Sequence, residues 1–206
     1  MTTFRCPKAH GLLSYTSLMK KRIIIVHGWG GSPTADWIAW ATRAFQKNGY
    51  EVLTPEMPDT DNPIIEKWEE YLKIVVDTAD EHTYLIGHSI GCQTIMRFLE
   101  TADVKIGGAI FVAGWFSLTN QSEEEKMIAE PWIETPIEYT KVKMNLVRSI
   151  AVLSDNDPYV PYEKTKKDFE TRLGSEVITV QRAGHFTSGD GFGPFPQLVE
   201  IFEKSF

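Results

Sequence analysis

From residue 22 onward the chain alternates short apolar runs with longer stretches whose apolar residues recur at helical spacing. That alternation constrains the fold more than any other feature. Consecutive strands separated by a helix-length connection pair in parallel, with the helices crossing over the faces of the sheet. Six runs read as strands, at 22–26, 51–53, 83–86, 108–112, 149–153 and 176–181. Helical stretches lie near 36–48, 64–79, 90–101, 136–142, 162–173 and 196–204. Asn48-Gly49 and Leu173-Gly174 close two of them in the way glycine suits a helix C-terminus. The expected class is α/β, in three layers, with a six-stranded parallel sheet flanked by helices. With 206 residues, such a chain buries roughly 70% of the surface it exposes when unfolded, so it needs neither disulfide nor structural metal to fold.

No repeat or low-complexity linker divides the chain, and a single domain is expected over residues 19–206. Residues 1–18 lack a consistent period and the continuous apolar segment of a secretory leader. They read as a loose extension ahead of Met19-Lys20-Lys21-Arg22. Cys6 and Cys92 form no C-x-x-C pair, which argues against a disulfide framework and for a reducing, cytoplasmic setting. Residues 119–140, with Glu123, Glu124 and Glu125 followed by Pro131, Trp132 and Pro136, read as an irregular cap with one short helix.

The formal net charge of −7 repels phosphate backbones and disfavours nucleic acid as a partner. Residues 51–81 carry ten acidic and two basic side chains, so the acidity belongs to one solvated face and says little about a site elsewhere. The longest uncharged stretch, 106–121, is broken by Gly107, Gly108 and Gly114 and falls short of the roughly 18 apolar residues of a membrane span.

Three motifs carry chemistry. Gly87-His88-Ser89-Ile90-Gly91 has the form G-x-S-x-G and lies between a predicted strand and a predicted helix. A serine in such a strained strand-to-helix turn is a nucleophile elbow, and side chains two residues to either side would collide with the tight backbone. The helix that follows makes the Ile90 N–H a candidate oxyanion donor. The Gly-rich loop His27-Gly28-Trp29-Gly30-Gly31-Ser32-Pro33 follows the first strand and offers the Trp29 N–H as a second donor. It lacks the third glycine of a dinucleotide fingerprint and the G-K-[ST] ending of a phosphate loop. Finally, Gly184-His185-Phe186 follows the last strand, and His185 is the one histidine downstream of Ser89. The order Ser, acid, His makes it the candidate general base. The acid comes from Ser154-Asp155-Asn156-Asp157, where spacing alone leaves Asp155 and Asp157 both open.

Taken together these motifs resemble the α/β-hydrolase superfamily, in particular its small retinoblastoma-binding protein nine-like serine hydrolases. The resemblance runs from residue 22 to the C-terminus. It rests on H-G-x-G-G-S at residues 27–32, G-H-S-x-G at 87–91, S-x-x-D-P-x-V-P at 154–161 and A-G-H-F at 183–186. It implies Asp157 as the triad acid, and a pared-down α/β-hydrolase sheet with strand order 2-1-3-4-5-6. That order has a physical sense of its own. Strand 1 lies between strands 2 and 3, so the loops after strands 1 and 3 meet at a topological switch point. Cys92, three residues past Ser89, reads as a small core residue. The L-x-C-x-E motif of pocket-protein binding does not occur.

The expected activity is hydrolysis of a small acyl ester through an acyl-enzyme, with Ser89, His185 and Asp157 as triad. The substrate pocket is expected from His27, Gly28, His88, Trp115, Phe116 and Phe186, whereas Trp37, Trp40 and Trp68 read as packing residues. No cofactor or metal is implied, and the chain is expected as a monomer or weak homo-oligomer. The alternative is a fold retained as a protein-binding module with a silent triad.

Overall fold

The computed structural model describes residues 20–206, so the reading of residues 1–18 and of Cys6 lies outside the described residues. Six strands, β1 (Arg22–Val26), β2 (Glu51–Leu53), β3 (Thr83–His88), β4 (Gly108–Val112), β5 (Ser149–Ser154) and β6 (Glu176–Val180), form one parallel sheet in the order β2-β1-β3-β4-β5-β6. This is the expected order, and every neighbouring pair is parallel.

The inner strands are apolar through their middles because both faces of the sheet are covered. Side chains alternate between two cores. Ile23 and Ile25 of β1, with Ile110 and Val112 of β4, face α1 (Ile38–Lys47) and α7 (Pro196–Ser205). Ile24 and Val26, with Phe111, face α2 (Ile65–Val76) and α3 (Ile90–Thr101). Trp37 and Trp68 are fully buried, one in each core. The glycines at two helix ends adopt positive φ, 92° at Gly49 and 66° at Gly174, where a Cβ would be strained.

The cap departs from expectation. The chain expected to be irregular forms a helix, α4 (Glu123–Glu134), ahead of the short helix expected near 136–142, which is α5 (Tyr139–Met144). The acidic triplet, placed by the sequence reading in an irregular cap, is a helix start. Ser122 accepts from the Glu125 N–H, and Glu125 accepts from the Ser122 N–H, a reciprocal capping box with three acids at the positive end of the helix. Pro131 lies inside α4, yet the helix is held beyond it by tertiary contacts. Trp132 Nε1 donates to the Pro63 carbonyl at 2.9 Å, and the buried Arg97 guanidinium donates to the Trp132 and Thr135 carbonyls at 3.0 Å each. Following β5, α6 (Tyr162–Asp168) runs on as a π-helical turn to Leu173. Among the described residues no helix is long and apolar enough to cross a membrane.

Candidate active site

The loops after β1, β3, β5 and β6 all leave from the carboxyl edge of the sheet and converge on one cavity of about 360 Å³, onto which His27, Trp29, His88, Ser89 and His185 open. Ser89 adopts φ 51° and ψ −118°, a region that costs a non-glycine residue on the order of 1–3 kcal/mol. The flanking glycines explain why the turn holds. A Cβ on Gly87 would lie 2.7 Å from the Cys92 nitrogen, and one on Gly91 would lie 2.4 Å from the Val26 carbonyl oxygen. The first clash is with the start of α3, and the second is with the end of β1. The Ser89 N–H donates to the Val112 carbonyl at 2.9 Å and its carbonyl accepts from the Cys92 N–H at 3.0 Å, so the turn is pinned from both sides.

Opposite the elbow, His185 Nδ1 lies 2.7 Å from Asp157 Oδ2. The Asp157 side chain is only 2% exposed, and its second oxygen accepts from the Tyr159 and Val160 N–H groups at 2.9 and 3.1 Å. Asp155 is occupied elsewhere, because its carboxylate accepts from the Arg182 N–H at 2.7 Å. The two aspartates that spacing left open are therefore separated by what each one binds.

Their neighbours Ser154 and Asn156 have a function that sequence reasoning missed. Ser154 Oγ accepts from the Ala183 N–H at 3.0 Å and Asn156 Oδ1 from the Gly184 N–H at 2.9 Å. The run 154–157 thus grips the histidine loop at three consecutive backbone positions and at the imidazole. From the far side, Asp190 Oδ2 accepts from the His185 N–H at 3.0 Å and from Thr187 Oγ1 at 2.7 Å. Burial opposes its charge, but these hydrogen bonds hold the Asp190 carboxyl below the usual carboxylate range. Gly184, at φ 55°, is required here, since a Cβ would fall 2.1 Å from Asp190 Oδ1.

The Gly-rich loop is ordered by His27. Its Nε2 accepts from the Met57 N–H at 3.0 Å, which leaves Nδ1 as the protonated nitrogen donating to the Gly28 carbonyl at 2.8 Å. The Gly31 N–H donates to the same carbonyl at 3.1 Å. A trans peptide points its N–H opposite its C=O. Fixing the Gly28 carbonyl therefore fixes the direction of the Trp29 N–H. Among the described residues neither the Trp29 nor the Ile90 backbone N–H donates to a protein acceptor. Burial lowers the His27 pKa, which favours the neutral ring that this arrangement needs.

His88 links the elbow to the histidine loop. It is 4% exposed, and its Nε2 donates to the His185 carbonyl at 2.9 Å. Burial first, and then the nearby His185, lowers its pKa to about 4. Between that value and the ordinary 6.5 the unfolded chain binds a proton that the folded chain refuses. His88 therefore costs no stability above about pH 6.5 and opposes folding by on the order of 3 kcal/mol as the pH drops toward 4. His88→Gln keeps an N–H donor and removes the titration. Its urea midpoint should change less than that of the wild type between about pH 7 and about pH 4.5. Equal changes in the two proteins would assign the acid sensitivity to other groups.

The cavity wall differs from the sequence expectation in its aromatics. His27, Gly28 and His88 line it as expected, but Trp115, Phe116 and Phe186 do not. Phe116 packs on Phe169 and Phe186 on Phe195, while Trp115 is 1% exposed behind Ser89. Large aromatic surfaces gain most from full burial, and the core outcompetes the pocket for them. The wall is completed by residues that the sequence did not single out, among them Asp36, Leu118, Gln121, Glu125 and Tyr159. Glu125 and Gln121 arrive with the capped start of α4, a helix absent from the sequence expectation. Cys92 is fully buried with its thiol against the Val112 carbonyl, and burial pushes its pKa well up, which fits a packing role. No metal-binding group of three or more His, Cys, Asp or Glu side chains occurs among the described residues.

Comparisons with known proteins agree with this arrangement. The serine hydrolase family profile matches residues 23–204. The putative hydrolase YdeN of Bacillus subtilis is 27% identical over 190 residues, covering 91% of this chain and 97% of YdeN. Serine hydrolase RBBP9 of Rattus norvegicus is 27% identical over 186 residues, covering 89% of this chain and 94% of the relative. The crystal structure of the B. subtilis ydeN gene product superposes with a TM-score of 0.82 over 90% of this chain and 98% of that one. Est1E from Butyrivibrio proteoclasticus, at 18% identity, shares the fold with a TM-score of 0.67 over 91% of this chain and 86% of its own. With an elbow at the switch point of a 2-1-3-4-5-6 sheet and a family match over nearly its whole length, the chain belongs to the serine hydrolase family and has the α/β-hydrolase fold.

Proposed function

We propose that the protein hydrolyses small carboxylic esters through an acyl-enzyme, with Ser89 as nucleophile, His185 as general base and Asp157 as the group that orients and stabilises the imidazole. The observation that carries this reading is the 2.7 Å contact between His185 Nδ1 and a buried, otherwise satisfied Asp157, within the cavity onto which Ser89 opens. Asp157 holds the proton on Nδ1 and leaves Nε2 free to accept the serine proton. Ser89 Oγ attacks the acyl carbonyl, and the Trp29 and Ile90 N–H groups receive the developing oxyanion. Collapse expels the alcohol, protonated by His185, and water then enters with the same histidine as base. A fluorophosphonate probe should label the protein stoichiometrically, with the adduct mapped to Ser89 by peptide mass spectrometry. An unlabelled Ser89 would overturn the reading.

The wall of the cavity defines the substrate further. Asp36 and Glu125 face it, with no lysine or arginine among the lining residues. The backbone hydrogen bond from Ser122 keeps the Glu125 carboxyl below its ordinary range and so ionised. At about 360 Å³ the cavity is near the lower end of ordinary ligand pockets, which suits a short acyl group. A p-nitrophenyl ester with a terminal carboxylate on its acyl chain should therefore show kcat/KM about tenfold below that of the neutral ester of equal length. The gap should narrow with added salt, because like charges in a solvated pocket are screened. Equal turnover of the two esters at low salt would show that these carboxylates do not select the substrate.

A further inference from the structure

Trp115 is not part of the pocket wall, but it is in contact with the reacting atom. It follows β4 directly and is 1% exposed in the core beneath α3. Its carbonyl accepts from Gln93 Nε2 at 2.7 Å, and Gln93 is itself buried on α3, the helix that begins at the elbow. The one polar atom of its side chain, Nε1, donates to Ser89 Oγ at 3.4 Å. Among the described residues this indole N–H has no other acceptor, and leaving a buried donor unpaired is costly. The contact therefore directs the indole N–H at one lone pair of the serine oxygen, at a length that leaves it room to shorten as charge grows there.

We propose that Trp115 is a catalytic residue of the deacylation half-reaction, where its N–H stabilises Ser89 Oγ as the leaving group. The inference rests on Ser89 being the nucleophile. In deacylation, water adds to the acyl carbon while His185 takes a proton from it. The tetrahedral intermediate collapses by breaking the bond between the acyl carbon and Oγ. The electron pair stays on Oγ, His185 returns the proton to it, and the carboxylic acid departs. Negative charge thus grows on Oγ in the presence of a fixed donor. In acylation the same oxygen gives up electron density as it attacks, so the donor brings no advantage. A residue that merely packed behind the serine would, when altered, slow both half-reactions together.

Trp115→Phe keeps an aromatic ring and removes the N–H. In pre-steady-state turnover of p-nitrophenyl acetate, deacylation should slow about tenfold while acylation changes by less than about twofold. The product burst should rise toward one equivalent and KM should fall. Loss of both rates in parallel, or a wild-type deacylation rate, would overturn the proposal. Should this variant fail to fold, Ser89→Ala reads the contact from the other side. At least one of the six tryptophan indole N–H resonances should move upfield as its acceptor is lost, and six unmoved resonances would overturn the proposal. A fluorophosphonate-labelled Ser89 together with unchanged deacylation in Trp115→Phe defeats this inference alone. An unlabelled Ser89 defeats the reading on which it rests.

Discussion

Ser89→Ala is expected to lower ester turnover by at least about 10⁴-fold and to abolish fluorophosphonate labelling, with the fold unchanged. The size of the effect follows from chemistry, because no acyl-enzyme forms without Oγ and only oxyanion binding remains. The fold should survive with a modest loss of thermal stability, because the bonds that hold the elbow are backbone bonds to Val112 and from Cys92 and the side chain caps nothing in α3, while the buried Trp115 N–H loses its acceptor. Alanine also places the same Cβ at φ 51°, so the strain of the turn is the same in both proteins. The measurements are kcat/KM on p-nitrophenyl acetate and a thermal melt of each protein. Activity retained within an order of magnitude would remove Ser89 from the mechanism.

The second large effect separates the two aspartates. Asp157→Asn should cost about 10³–10⁴-fold in kcat/KM, whereas Asp155→Asn should stay within about threefold of the wild type. An asparagine at 157 can still accept from the Tyr159 and Val160 N–H groups, so the turn persists. Its amide nitrogen, however, turns a donor toward His185 Nδ1, which must then become an acceptor. The ring proton moves to Nε2, the atom that has to take the serine proton. An asparagine at 155 keeps the acceptor used by the Arg182 N–H and touches nothing in the reaction. The opposite ranking of the two variants would transfer the acid role to Asp155.

Much of this arrangement was legible before any coordinates. The strand starts at Arg22, Thr83, Gly108 and Ser149 match the expectation, because runs buried on both faces leave a local apolar signal, and the edge strand from Glu176 matches through its β-branched residues. The elbow was legible for a different reason. Its glycines answer to steric needs within a few residues, and the clashes at Gly87 and Gly91 are the ones a tight strand-to-helix turn imposes. The start of α4 carries a local signal of its own, because Ser122 and Glu125 stand in capping-box spacing. The remainder of α4 depends on contacts from Arg97 and Pro63, which no local pattern announces.

By itself the sequence determined the α/β class, the strand-to-helix turn at Ser89 and the place of His185 after the last strand, since these rest on periodicity, glycine placement and chain order, and the family resemblance supplied the strand order. Only the tertiary structure decided which aspartate meets the imidazole, that the run 154–156 staples the histidine loop, and that His27 sets the direction of the Trp29 peptide. It also moved Trp115, Phe116 and Phe186 from the expected wall into the core and brought Asp36 and Glu125 to the cavity. The physical reason is common to all of these. Each depends on which of several chemically able groups comes within about 3 Å of a partner dozens of residues away, and residue type alone does not encode that distance.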